Sequence, residues 1–351
     1  MNKYYKLSKN DSIEMIEIDN YVIYTDLYKN IQESKKLIDK YSSNWDYYKK
    51  LLNKYEYVYN GNKPFINKSI KPISRSYFKL QEISIDKNII LENCHILCMA
   101  EAPGGFVKNI LDRTSNTLIY ANSLCSSDRS VPSWNNIITE NSRVTILNGK
   151  DNTGSLYNYD NLSNMVNTID YKKCKLITAD GGIDYSSDYN NQEKNSFKLL
   201  VCEIYLALNV QINDGTFIIK FFDIFYYNSI QLLYILNLFY DKIEIVKPHT
   251  SRSSNSEKYI VCSGFISSNL KKFNFIINML KNYIIKAYKI NIYVPITFIL
   301  DVYRFNKIFV DNQIINIKNT IDIIDNPKNM QSIMFENLNN AKNWYNKYNI
   351  Y

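Results

Sequence analysis

Short apolar runs alternate with stretches of helical spacing through the middle of the chain. The runs at 95–99, 117–121, 143–147, 175–179, 216–221, 242–246 and 259–263 read as strands, several of them apolar enough to be buried on both faces. Between the fourth and fifth, Phe197, Leu200, Val201, Ile204 and Leu208 recur at three- and four-residue steps, which marks one buried helix face. Another helix is predicted to begin at Gly104-Gly105 and to bury Phe106, Ile110 and Leu111. Seven strands with intervening helices predict an α/β fold, a Rossmann-like, mainly parallel sheet with helices on both faces. Ligands of such sheets bind at the carboxyl ends of the strands.

The ends of the chain read differently. Residues 1–70 and 269–351 are nearly free of glycine and rich in Lys, Asn, Tyr and Ile. In the latter, Phe275, Ile276, Met279, Ile284 and Tyr288, then Phe298, Ile299, Val302 and Phe305, follow helical spacing. Three zones result: an N-terminal helical extension (1–70), a central α/β domain (71–268) and a C-terminal helical extension (269–351). No repeat of fixed period is evident. The aromatics of the first zone, Trp45, Tyr47, Tyr48 and Tyr55, lie among lysines; they suit either holding a nucleic acid or packing a helical lid.

Composition sharpens this only in places. Over 351 residues, 46% hydrophobic and 22% charged positions are ordinary globular values and exclude a wholly disordered chain. The 31 tyrosines and the excess of Asn, Ile and Lys are what an AT-rich genome produces, so the scarce residues carry the information. Net charge is +8, which permits a polyanionic partner without requiring one. The cysteines Cys94, Cys98, Cys125, Cys174, Cys202 and Cys262 form no CxxC pair, and several sit in apolar runs as reduced core thiols do; no metal site is expected. The N-terminal segment MNKYYKLSKNDSIEMIE lacks the apolar core of a signal peptide. The greasiest stretch, 224–240, is interrupted by Asn228, Gln231 and Asn237 and is short for a membrane span. A soluble, cytoplasmic, non-secreted protein without a membrane partner is expected.

All but one of the nine glycines fall between Gly104 and Gly264. The first strand runs into Ala102-Pro103-Gly104-Gly105-Phe106 and then a helix. Small residues there admit a ligand against the backbone, and the helix start offers N–H groups to a carboxylate or phosphate; a plain strand-to-helix turn is the other reading. The segment is neither GxGxxG nor a P-loop, which disfavours nicotinamide cofactors and nucleoside triphosphates. Asp151-Asn152-Thr153-Gly154 follows the third strand and Asp180-Gly181-Gly182 the fourth, each an acid at a strand's carboxyl end. Lys220 lies between Ile218-Ile219 and Phe221-Phe222, an apolar setting that predicts a desolvated amine of lowered pKa rather than a surface lysine.

Four segments in this order carry a resemblance: Ser74-Arg75-Ser76-Tyr77-Phe78-Lys79-Leu80, Ala179-Asp180-Gly181-Gly182, Gly215-Thr216-Phe217-Ile218-Ile219-Lys220 and Ser251-Arg252-Ser253-Ser254-Asn255-Ser256-Glu257-Lys258-Tyr259. With the APGG turn, about residues 71–268 resemble the FtsJ-like (RrmJ-type) family of S-adenosylmethionine-dependent RNA 2′-O-methyltransferases. The resemblance implies a catalytic tetrad of Lys79, Asp180, Lys220 and Glu257, with Lys220 as the base or as the group that steers a lone pair of the ribose hydroxyl. It implies S-adenosyl-L-methionine as cofactor, held by Pro103, Gly104, Gly105, Phe106, Asn122, Asp151 and Asp180. Two departures stand out: Asn122 replaces the acid expected after the second strand, and Cys98 aligns with the acid that opens the cofactor motif, Glu101 being the candidate substitute.

Further motifs narrow the branch. Glu-Ala-Pro-Gly-Gly-Phe, Asp-Asn-Thr-Gly and the Ser-Arg-x-x-x-x-Glu-x-Tyr stretch ending at Tyr259 look most like the mRNA cap 2′-O-methyltransferases, especially those of large DNA viruses. The expected partner is then RNA, 5′-capped mRNA in particular, methylated on its first transcribed nucleotide. A ribosomal or transfer RNA 2′-O-methyltransferase, or an inactive methyltransferase-fold subunit of an RNA-processing complex, are the competing readings. RNA-backbone contacts are expected from Lys71, Arg75, Lys247 and Arg252, which flank the tetrad segments; an ordinary solvated basic face is the alternative for each.

Overall fold

The computed structural model describes residues 4–15, 19–59, 72–171, 173–182, 191–327 and 330–348. The strands are β1 (Tyr4–Lys6), β2 (His95–Met99), β3 (Leu118–Ala121), β4 (Val144–Ile146), β5 (Cys174–Ala179), β6 (Gln211–Phe221), β7 (Tyr240–Val246) and β8 (Lys258–Phe265). They form one sheet in the order β1-β7-β8-β6-β5-β2-β3-β4. From β4 to β6 all neighbours are parallel, while β8 runs antiparallel to both β6 and β7. Each predicted strand is present. The sheet nevertheless has eight strands, not seven: Tyr4–Lys6, inside a zone expected to be helical, pairs antiparallel with β7 and covers its edge. Three residues are too short for an alternating pattern to stand out, so only the partner strand defines β1.

Apolar strands demand cover on both faces, and the helices supply it. The helices Gln192–Val210 and Tyr227–Phe239 lie on one face, together with Asn274–Lys286 and Ile296–Asp325 from the C-terminal zone. On the other face the helices Ser76–Asp86 and Gly105–Arg113 enclose Leu80, Ile83, Phe106 and Ile110 with Ile218 and Tyr259. A third cluster joins the last helix, Met330–Lys347, to Ser76–Asp86 through Phe78, Trp344 and Tyr345. Phe78 and Trp344 meet edge to face at 5.7 Å, a geometry aromatic pairs favour.

Register places the chemistry. Chain order reverses direction between β2 and β5, which opens a crevice at their carboxyl ends. Met99 pairs with Ala179, and Ala179 with Ile219, so the three strands end level and Asp180 emerges beside Lys220. Lys220 in turn pairs with Tyr259 of β8. Ile218 and Tyr259 belong to the core face that holds the Ser76–Asp86 helix, and Lys220, two residues from Ile218, shares that face.

Candidate active site

Two ion pairs stand at the carboxyl ends of β5 and β6. Lys79 Nζ lies 2.7 Å from Glu257 Oε1 and donates to Oε2 at 2.9 Å. Lys220 Nζ donates to the Asp180 carbonyl at 2.8 Å and lies 3.3 Å from its carboxylate. All four side chains are only 11–14% exposed. Tyr259 links the pairs: its hydroxyl donates to Asp180 Oδ1 at 2.7 Å, and the Lys79 ammonium sits 5.8 Å from its ring centroid. Ser251 Oγ completes the shell with a 2.8 Å bond to Glu257 Oε1. The four residues predicted to converge are thus brought together. Tyr259 was not singled out from sequence, although its offset of two from Glu257 puts both on one face of an extended strand.

Electrostatics departs from expectation at Lys220. Burial does work against its charge, but Asp180, Glu257 and Glu203 outweigh that effect and hold its pKa above the ordinary lysine value. The predicted depression is therefore corrected: an apolar strand sequence records desolvation but not the three carboxyls that the fold gathers. Glu257 shows the mirror image. Burial would raise its pKa, yet Lys79, Lys220 and Lys247 draw it well below the carboxylate range.

Two further acids sit under the site. Glu101 is 3% exposed, and its carboxyl accepts from the Phe106 N–H at 3.0 and 3.1 Å, at the start of the Gly105–Arg113 helix. Burial and the neighbouring Asp180 push its pKa up to about 8, against the pull of those helix N–H groups. Glu203, from the Gln192–Val210 helix, is 1% exposed, and its Oε1 has no hydrogen-bond partner. It fills the space beneath Gly181, where a Cβ would come within 2.4 Å of that oxygen. Burial lifts its pKa to about 8, with Lys220 pulling down and Asp180 pushing up. An acid within a helical apolar stripe, Val201-Cys202-Glu203-Ile204, is the sequence signal that could have found it.

The turn after β2 is tight. Ala100 has φ 51°, the left-handed region that non-glycine residues rarely adopt. Gly104 has φ 109°, and a Cβ on Gly105 would fall 2.1 and 2.2 Å from the hydroxyls of Ser76 and Ser74. Glycine at 105 is thus required where two helices touch. Beyond it, Asn122 is fully buried at the end of β3; its amide donates to the carbonyls of Leu147 and Gly154 at 2.9 and 3.0 Å, while its Oδ1 has no partner. Asp151 spends its carboxylate within its own loop, accepting from Thr153, Asn161 and Asn158 at 2.7–3.0 Å, which holds its pKa below the usual range.

Of the basic residues expected to meet RNA, Arg75, Arg252 and Lys247 are turned inward. Arg75 reaches Glu56 at 2.7 Å and the Thr250 carbonyl at 3.0 Å; Arg252 reaches the same Glu56 carboxylate at 2.9 and 3.1 Å. Glu56, 4% exposed and from the N-terminal zone, thereby clamps both tetrad-bearing segments. Lys247 is only 8% exposed and donates to the carbonyls of Asn255 and Glu257 at 2.8 and 2.6 Å. Burial, helped by Lys258 and Lys79 against the attraction of Glu257, pushes its pKa down to about 7. Lys71 lies outside the described residues. The Ser76–Asp86 helix is braced from the C-terminal zone as well: Trp344 donates to Glu82 Oε2 at 3.2 Å, and Glu82 also receives the His249 and Thr250 N–H groups.

Among the described residues no cluster of His, Cys, Asp or Glu could hold a metal ion, and no helix is long and apolar enough to cross a membrane. The six cysteines are unbridged, four of them buried.

Comparison with known proteins gives a consistent picture. The family model described as FtsJ-like methyltransferase matches residues 72–265. Over 280 residues, or 75% of this chain, it is 26% identical to a cap-specific mRNA (nucleoside-2′-O-)-methyltransferase 2 of Pongo abelii, covering 36% of that protein. It is 32% identical over 168 residues, 45% of this chain and 20% of the relative, to a cap-specific mRNA (nucleoside-2′-O-)-methyltransferase 1 of Mus musculus. The protein of the same activity name from Autographa californica nuclear polyhedrosis virus is 29% identical over 191 residues, 54% of this chain and 71% of that protein. The matches to the two mammalian proteins thus span about a third or less of their length.

Proposed function

Since the chain belongs to the FtsJ-like methyltransferase family, we propose that it transfers a methyl group from S-adenosylmethionine to a ribose 2′-hydroxyl of RNA, on the first transcribed nucleotide of capped mRNA. The observation that carries this reading is the pair of ion pairs Lys79–Glu257 and Lys220–Asp180, joined by Tyr259 at the carboxyl ends of β5 and β6. Such an array can hold one hydroxyl with donors and acceptors on two sides. The activity names of relatives from mammals and a baculovirus support the cap as substrate.

The residues at the strand ends suit a cationic cofactor. Burial and the neighbouring Asp180 disfavour the charged form of Glu101, and a cationic group beside the two acids would offset that. Asn122 Oδ1 and Trp134 Nε1 are buried polar atoms lacking a partner near the turn, which is where a ligand's polar atoms find use. On this reading Pro103, Gly104, Gly105, Phe106, Asn122 and Asp180 line the cofactor site. Asp151 shapes the adjoining loop, since its oxygens already receive four hydrogen bonds. S-adenosylmethionine supplies an activated methyl group on a sulfonium.

The chain's own part is alignment and proton handling. Lys220 rests as an ammonium, so its first task is to donate a hydrogen bond to the 2′-oxygen and turn a lone pair toward the methyl. Asp180, fixed by Tyr259, holds that ammonium in place, while Glu257, charged and held by Lys79 and Ser251, keeps the two ammonium groups together; the hydroxyl proton, strongly acidic once the oxygen bonds to the methyl carbon, passes to solvent. Alignment of this kind contributes up to roughly 7–11 kcal/mol of a barrier. Residues 71–268 form the catalytic domain, braced by 1–70 through Glu56 and by 269–351 through Trp344, and the protein works in the cytoplasm.

The test is incubation with labelled S-adenosylmethionine and three RNAs: capped, uncapped, and capped with unmethylated guanosine, followed by mapping of the methylated ribose. Transfer to the first nucleotide of capped RNA is expected. Equal transfer to uncapped RNA, transfer to another nucleotide, or binding without transfer would overturn it.

A further inference from the structure

A cavity of about 310 Å³ lies beside the tetrad, where all three zones of the chain meet. The N-terminal zone contributes Tyr55, the loop between β7 and β8 contributes Lys247, His249 and Ser251, and the Ile296–Asp325 helix contributes Phe309 and Asn316. It adjoins the proposed chemistry directly: Ser251 hydrogen-bonds Glu257, and Lys247 donates to the Glu257 carbonyl.

Its lining mixes aromatic and polar groups. Tyr55 and His249 stack with centroids 4.8 Å apart and planes 28° from parallel, a short aromatic stack within the lining. Pro248 and Phe309 extend the apolar lining. Asn312 and Asn316, from the same helix as Phe309, and Ser251 and Ser253 add polar groups to the lining. Lys247 lines the cavity too; two of its N–H donors go to backbone carbonyls, and an anion beside it would favour its charged form. An aromatic stack, hydrogen-bonding groups and a lysine that a phosphate would hold in its charged form suit a base, a sugar and a phosphate. The volume sits at the small end of the range for ligand pockets and is too small for a helix or an extended peptide.

We propose that this cavity is a nucleotide subsite: it takes one base of the RNA next to the nucleotide being methylated, stacked on Tyr55, with its phosphate toward Lys247. The proposal rests on the reading of the site as an RNA methyltransferase and adds to it a way of gripping the transcript outside the tetrad. It also gives the flanking zones a task, since neither the Ser251–Glu257 loop nor the catalytic helix could build the pocket without Tyr55 and Phe309.

The test uses short capped RNAs in which 2-aminopurine replaces, one at a time, each nucleotide flanking the acceptor. Stacking quenches this fluorophore. With the full chain, quenching at one position is expected. Tyr55→Ala should lose it and bind that RNA about 5- to 150-fold more weakly, the range of one base–aromatic stack. Tyr55→Phe, which keeps the ring, should restore both, and Tyr47→Ala, an exposed tyrosine away from the cavity, should behave as the parent chain. Unchanged fluorescence at every position, or quenching that survives Tyr55→Ala, would overturn the subsite. Methyl transfer measured on the same RNAs separates the two claims. Transfer without quenching removes the pocket and leaves the enzyme; Tyr55-dependent quenching without transfer leaves the pocket and removes the enzyme.

Discussion

Replacing Glu56 by Gln removes one negative charge from between two arginines without changing the side chain's shape. The carboxylate accepts from Arg75 at 2.7 Å, Arg252 at 2.9 and 3.1 Å, and Asn53 at 2.7 Å. Its side chain is 5% exposed, against 22% and 19% for the arginines, so water can replace it only in part. Burial opposes its charge, but Arg252, Arg75 and Asn53 win, and the pKa falls from 4.5 to about 2. A depression of that size is worth roughly 3 kcal/mol of folding stability. Because the folded pKa is the lower one, the contribution is complete above pH 4.5 and is lost as pH falls toward 2. Glu56→Gln should therefore destabilise the chain by roughly 3 kcal/mol at pH 7, and the gap to the parent should narrow to about half near pH 3. Urea unfolding followed by circular dichroism at pH 7, 5 and 3 reads both numbers. A gap that stays constant across this range, or one well under 1 kcal/mol at neutral pH, would show that the arginines find equal partners elsewhere and that Glu56 clamps nothing.

Four other outcomes follow from the site. Lys220→Ala should lower methyl transfer by roughly 10²–10⁴-fold while calorimetry still detects S-adenosylmethionine binding; loss of folding instead would make Lys220 structural. Tyr259→Phe keeps the ring but deletes the hydrogen bond to Asp180, and a bond to a charged group of about 1.5–3 kcal/mol predicts a stability loss of that size in urea unfolding, with kcat lowered as Asp180 loses its anchor. Glu203 keeps its proton in the folded chain up to about pH 8, against 4.5 for its ordinary value, so native stability falls as pH rises between these values. Glu203→Gln should remove that residue's share of the slope, the part due to Glu101 remaining, and leave the variant the more stable by about 4–5 kcal/mol at pH 9 in urea titrations. Gly105→Ala drives a methyl into Ser74 and Ser76 and should cost about 1–3 kcal/mol in the same assay, with Ser76→Gly recovering part of the loss.

Local pattern carried much of this protein. The alternation of apolar runs and helical faces specified seven strands and a mainly parallel sheet, because a strand buried on both faces must be apolar whatever its neighbours are. The resemblance of four short segments to the FtsJ-like family pointed to Lys79, Asp180, Lys220 and Glu257, since each sits in a short contiguous motif. Contacts between distant segments were not legible. The pairing of Tyr4–Lys6 with β7 depends on an edge offered more than 230 residues later in the chain. The inward turn of Arg75 and Arg252 depends on Glu56, which no local signal distinguishes from other surface acids. The protonation of Lys220 was likewise decided in three dimensions: the sequence shows its greasy neighbours, but the field at its ammonium is the sum over Asp180, Glu257 and Glu203, and charge acts through distance in space, which the order of residues does not record.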